Sequence, residues 1–269
     1  MANPILNDKT WNKAARDSGW GAPDPSTRGG LPISDGPTSP WRGNVMTVGG
    51  TISATGVLMV VLLAAAVVGW QMGPENSGNQ IGRFPALALG GILIGFACAI
   101  AIYFRPMWAK FLAPVYGIGE GFFLGVISKA YEGYQHGIVV QAVGATLGVF
   151  AVMLFLYRTK IIKVTDRFRR IVITATMGLM VFYLFSFILN LFGGGVSFLH
   201  STSLLSIGFS IFAAGLAAMN LAIDFDFIEK GAKQGLPKGM EWFAAFALVI
   251  TLVWLYLELL RLLSKLQRR

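Results

Sequence analysis

The chain has 269 residues, 55% of them hydrophobic and only 13% charged, about half the charged share of a soluble domain. Between Val45 and Leu260 the charges gather in short gaps between long apolar runs, which excludes an ordinary globular protein and indicates an all-α integral membrane protein. The net charge of +9 sits mostly at the ends of those runs, so it reads as a topology signal, and no nucleic-acid partner is expected.

Residues 1–44 hold six of the eleven prolines, many glycines and nearly balanced charge. A segment this poor in apolar residues cannot offset its ordering entropy, so it is expected to be a disordered cytoplasmic tail. The first apolar run starts too late for a signal peptide and lacks a cleavage pattern, so it is expected to be an uncleaved anchor.

Residues 45–269 are expected to form a seven-helix transmembrane domain. Seven apolar runs lie at about 45–70, 84–104, 111–130, 138–157, 171–192, 202–227 and 242–263. Each is near the roughly 20 residues needed to cross a hydrocarbon layer of about 30 Å. Backbone groups in lipid must be satisfied within the segment, and nothing alternates as barrel strands do, so the runs predict helices. With the N-terminus inside, the cytoplasmic side collects sixteen of the 22 basic residues, and the outer side keeps Arg83, Lys129, Arg261, Lys265, Arg268 and Arg269. That asymmetry predicts a multi-pass protein of the cell (plasma) membrane with a cytoplasmic N-terminus and an outside C-terminus. The four C-terminal cations fit this poorly; a re-entrant seventh run would return them inside. The stretch from Trp242 to Leu257 has no Gly, Pro or charge to mark a break, so a continuous helix is the expectation.

Gly117, Gly121 and Gly125 form a stripe of small residues on the third helix, with shorter ones at Gly91/Gly95 and Gly144/Gly148. Such stripes predict close helix contact. Cys98 is alone and forms no internal disulfide.

Soluble-enzyme signatures are missing: no phosphate loop, no H-E-x-x-H, no nucleophile elbow. Neither an enzyme nor a cofactor is expected, and His136 and His200 read as solvated loop residues. What remains is a set of acids at membrane depth. Glu120 stands about ten residues into the third run; Asp224 and Asp226 lie where the sixth run ends; Glu258 lies on the seventh. A carboxylate at such depth faces the bundle interior, pairs, or keeps its proton, which makes it a candidate proton sensor or cation ligand. Each has a plainer alternative. Asp226 and Glu229 fit solvated helix ends, and Glu258 fits an interfacial pair with Arg261, three residues on. Glu120 and Asp224, flanked by apolar neighbours, are harder to explain in that way.

Three passages carry a resemblance: Tyr103-Phe-Arg-Pro with Val115-Tyr-Gly, Asp224-Phe-Asp-Phe-Ile228, and Leu255-Tyr-Leu-Glu-Leu-Leu-Arg261. Together with seven spans in order, over about residues 45–265, they resemble the Bax inhibitor-1 family, including its YccA-like bacterial branch. The resemblance implies six helices around a central, acid-bearing seventh, acting as a pH-sensitive calcium leak. It implies that acids on helices six and seven share a proton and that an arginine at the end of helix two latches the sixth-helix acid. Asp224 and Arg105 match those two positions. For the seventh-helix acid, matching letters selects Glu258, whereas counting from the preceding loop reaches Val249 to Thr251, where no acid stands; Glu120 is then a further candidate partner.

The leading expectation is a passive conduit for Ca²⁺ gated by protons, with Asp224 and Asp226 as the candidate Ca²⁺ ligands, since hard oxygen ligands suit that ion. The alternatives are a proton-coupled cation transporter, for which inverted repeats and helix breaks are missing, and a non-enzymatic regulator that binds other membrane proteins through the tail. An intramembrane aspartyl protease is disfavoured because no G-x-G-D is present.

Overall fold

The computed structural model describes residues 45–73, 86–192 and 201–268. The expected tail, Arg83, His200 and Arg269 lie outside the described residues. Seven helices follow in chain order: α1 Val48–Met72, α2 Ala86–Phe104, α3 Ala109–Tyr134, α4 Ile138–Arg158, α5 Asp166–Leu191, α6 Leu204–Lys233 and α7 Met240–Gln267, with a 3-10 turn at Pro106–Trp108 between α2 and α3. All seven apolar runs are helices, and α7 is unbroken over 28 residues, with no break of the kind a re-entrant segment needs. The helices overrun the apolar runs where polar ends still close i→i−4 bonds, most at α6, which continues through Ile228-Glu-Lys-Gly-Ala-Lys233.

Three helix starts are set by short polar side chains. Thr47 Oγ1 accepts from Gly50 N at 2.9 Å, Thr165 Oγ1 from Phe168 N at 3.2 Å, and Ser203 Oγ from Ser206 N at 3.2 Å. Each hydroxyl satisfies one of the amides that a first turn leaves without a partner. At α4 the cap is borrowed from α3: the Glu132 carboxylate accepts from Gly137 N at 2.5 Å and Val139 N at 3.1 Å. The chain leaves α4 through Lys160, a non-glycine residue at φ 57°. That left-handed turn costs about 1–2 kcal/mol, and it sends the Ile162 amide back to the Leu156 carbonyl at 3.2 Å.

The helices pack by backbone approach on one side and by side chains on the other. A Cβ on Gly121 would stand 2.2 Å from the Leu62 carbonyl oxygen, and one on Gly125 2.0 Å from that of Ala66. Gly69 of α1 meets the Phe122 carbonyl in the same way, so α1 and α3 touch main chain to main chain. Gly91 and Gly119 do the same between α2 and α3. Gly144 and Gly148 do not: among the described residues nothing lies within 4 Å of a Cβ at either, so the stripe expected to pack α4 makes no contact there. The small-residue spacing identifies a surface that permits close approach, and no described helix takes it up.

α7 is the central helix. In its most apolar stretch 67% of residues are buried, against 17% for α5 and 22% for α1 and α4. Its Ala245, Phe246, Val249 and Val253 pack with Ala54 and Leu58 of α1, Cys98 and Ile102 of α2, and Ala113 and Tyr116 of α3. The opposite side places Ala244, Leu248, Leu252 and Leu255 against Ala214, Ala217, Leu221 and Phe225 of α6. Trp254 reaches the α5–α6 cluster of Val172, Leu179, Ala213 and Leu216, and Leu260 meets Ile138 and Ala142 of α4. The chain is thus an all-α membrane protein with six helices around a seventh. Among the described residues six helices are long and apolar enough to cross a membrane. α2 is 19 residues, close to 28 Å at about 1.5 Å per residue.

Candidate functional site

α6 and α7 face each other through small and branched residues, and this brings Asp224 against Thr251. Thr251 is the polar side chain that acts on the Asp224 carboxyl, and among the described residues Asp224 Oδ2 is sealed from solvent without a hydrogen-bond partner. Thr251 is itself 8% exposed, and its hydroxyl also lies 3.1 Å from the Ala247 carbonyl. A hydroxyl has one proton to give. When it goes to Ala247, Thr251 offers Asp224 only lone pairs, and Asp224 must supply the proton as a neutral acid. When Asp224 is ionised, Thr251 must turn its proton away from the helix. The pair therefore has two hydrogen-bond states, one for each protonation state of the acid.

Asp226 stands two positions further along α6. Positions i and i+2 on a helix point to different sides, so the two aspartates do not converge on one ligand set. The Asp226 carboxylate is engaged by Arg169 of α5 at 2.7 Å and by Lys230 at 2.8 Å. Glu229 pairs with Lys233 and accepts the Tyr157 hydroxyl at 2.6 Å. Among the described residues no three His, Cys, Asp or Glu side chains gather as a metal site.

Glu258 is 1% exposed and fully occupied. Its Oε1 accepts from Tyr183 Oη at 2.8 Å and Trp254 Nε1 at 3.2 Å, and its Oε2 pairs with Arg261 at 3.0 Å. Arg261 also donates to Tyr183 Oη at 2.9 Å and lies over that ring. Glu258 is seven residues from Thr251, about 10 Å along α7. Glu120 lies on α3 beside Tyr116 and faces α2, where a Cβ on Gly95 would come 3.5 Å from its Oε2. Arg105 is exposed; it lies over the Trp108 ring at 5.8 Å and makes no ion pair with Asp224. His136 is exposed in the α3–α4 turn.

Several residues of these networks carried no signal in the sequence. Arg169, Tyr183 and Trp254 are ordinary residues until the helices pack, and the sequence reaches Thr251 only as a depth on the seventh helix. Glu241, 5% exposed, accepts from both Thr47 N and Thr47 Oγ1 at 2.9 Å and clasps the starts of α1 and α7. Lys265, 4% exposed, is held by Ser206 Oγ and Ser210 Oγ, each at 2.8 Å.

Six helices around a central seventh is the architecture that the sequence resemblance implied. A family model for Bax inhibitor 1 like proteins matches residues 3–268. The chain belongs to the Bax inhibitor 1 like family. No curated protein matches the chain. Against the two-acid pattern expected of the family, this member places a threonine opposite Asp224 and commits Glu258 to a separate cluster two turns away.

Proposed function

We propose that this Bax inhibitor 1 like protein is a pH-sensitive cation leak, conducting Ca²⁺, and that its proton sensor is Asp224. The observation that carries the reading is Asp224 set against Thr251, with its buried Oδ2 unpartnered among the described residues. An ionised carboxylate there lacks the second partner it needs, so it draws in water or a cation; a neutral acid does not. Asp224 is then both the sensor and the first oxygen ligand a permeating cation meets, with waters completing its shell. The other buried or paired acids, Asp226, Glu229 and Glu258, are occupied by cations of the protein and serve the frame. Glu120, near the glycine contact of α2 and α3, is the second candidate for the pathway. The protein performs no covalent chemistry in this reading.

The orientation proposed is an inside N-terminus and an outside C-terminus in the cell membrane. Two of the four C-terminal cations that opposed it are held within the bundle, Arg261 by Glu258 and Lys265 by Ser206 and Ser210. Such tethered charges weigh less in the inside–outside balance than free ones.

The test is Ca²⁺ flux in liposomes holding the purified protein, with pH and membrane potential set independently. Flux that follows the Ca²⁺ gradient and potential at equal pH on both sides supports the leak. Flux that requires a proton gradient would make the protein an exchanger, and no flux at any pH would favour a non-conducting regulator.

A further inference from the structure

At the end of the bundle where α4 stops and α5 starts, a cleft of about 810 Å³ opens between α1, α4 and α6. Its floor is apolar, with Val48 and Ile52 of α1, Phe150 and Leu154 of α4, and Leu248 of α7. Its rim is basic: Arg158, Lys160, Lys163, Lys230 and Lys233 line the mouth against two acids, Asp226 and Glu229. Those acids already have their cations. Asp226 holds Lys230 and Arg169, and Glu229 holds Lys233 and the Tyr157 hydroxyl. Arg158, Lys160 and Lys163 are exposed and form no ion pair among the described residues. Lys160 is placed at this rim by a backbone conformation unfavourable for a lysine.

A surplus of three cations above an apolar cleft in a membrane-spanning bundle fits one kind of molecule. We propose that the cleft binds an anionic phospholipid, its phosphate among Arg158, Lys160 and Lys163 and an acyl chain along Ile52, Phe150 and Leu154. The apolar floor distinguishes a lipid from a free phosphate, which has no use for it. The surplus of positive charge distinguishes an anionic lipid from a zwitterionic one. The site does not depend on the conduction reading, since it uses neither Asp224 nor Thr251.

The experiment uses the full chain in a neutral detergent, titrated with phosphatidylglycerol, phosphatidylcholine or inorganic phosphate. Bound lipid is counted by native mass spectrometry, and thermal unfolding is followed in parallel. The wild type should bind phosphatidylglycerol in preference to phosphatidylcholine and gain Tm with it, and inorganic phosphate should give no such gain. In R158Q/K160Q/K163Q the phosphatidylglycerol affinity should fall on the order of a hundredfold, from about a fivefold effect per cation. K110Q/R170Q/K238Q removes the same charge from exposed positions at the same end, outside the cleft, and should change it less than about threefold. If the cleft variant does not fold, Lys163→Gln alone should still weaken binding about fivefold. Equal losses in the two triple variants would reduce the effect to overall charge and overturn the site. Stabilisation by inorganic phosphate equal to that by phosphatidylglycerol would make it a free-anion site and overturn the lipid. No preference between the two lipids would overturn both.

Discussion

Asp224 and Glu258 stand on facing helices of one bundle, Glu258 buried and Asp224 half-buried with its Oδ2 sealed, and they differ in what surrounds them. Glu258 has a tyrosine hydroxyl, an indole N–H and a guanidinium on its two oxygens. Asp224 has one threonine, which is shared with a backbone carbonyl, and an oxygen without a hydrogen-bond partner among the described residues. Burial of an acid is therefore not what separates frame from function. A satisfied carboxylate holds its place, whereas an unsatisfied one has an incentive to change its proton, its water or its position.

The comparison is broken most sharply at Glu258. Glu258→Ala leaves the half-buried Arg261 and the Tyr183 and Trp254 donors without their acceptor, and should cost about 3 kcal/mol. Thermal unfolding in detergent should show a Tm lower by roughly ten degrees; a loss under two degrees would show that water replaces the carboxylate freely and that the cluster is not structural.

Asp224→Asn should move Tm by no more than about two degrees, because no ion pair is lost. Its effect belongs on flux. Asparagine copies the neutral acid, so the variant should hold at every pH from 5 to 8 the Ca²⁺ flux that the wild type shows at its acidic limit. A wild-type pH profile in this variant would remove Asp224 from the mechanism and turn attention to Glu120.

Thr251→Val keeps the shape and removes the hydroxyl. It should cost about 1 kcal/mol and shift the midpoint of the flux profile, since only one of the two hydrogen-bond states of Asp224 loses a donor. An unshifted midpoint would show that water, not Thr251, serves the acid. Smaller still, Arg169→Gln breaks a partly exposed pair while Lys230 continues to hold Asp226, and should cost about 0.5 kcal/mol with the flux profile unchanged. Last comes Arg105→Ala, which removes only a stacking contact with Trp108 and should leave stability and pH response as they were. A shifted response would show that Arg105 reaches Asp224 in another conformation and would restore the latch.

The spans were legible because a membrane-crossing helix is a compositional event. Twenty apolar residues in a row have one way to satisfy their backbone in lipid, and so all seven helices could be read from residues alone. Asp224 was legible for the related reason that an acid between apolar neighbours stands out, and counting from the loop reached the depth at which Thr251 meets it. The partners were not legible. Arg169 with Asp226, Tyr183 with Glu258 and Lys265 with Ser206 are separated by 57, 75 and 59 positions, and nothing local marks them. The Gly144/Gly148 stripe shows the same limit from the other side, since spacing reveals a surface but not whether a neighbour occupies it.

The glycine contact between α1 and α3 has a mechanical consequence. With carbonyl oxygens seated close to where the Cβ atoms of Gly121, Gly125 and Gly69 would otherwise be, these helices mesh main chain against main chain at three levels. Sliding by even half a residue would drive one main chain into the other, so the pair travels as a single stave. The helices joined through leucine, phenylalanine and tryptophan have rotamers that can yield. On the reading proposed above, opening at Asp224 would displace α6 against a wall built from α1 and α3.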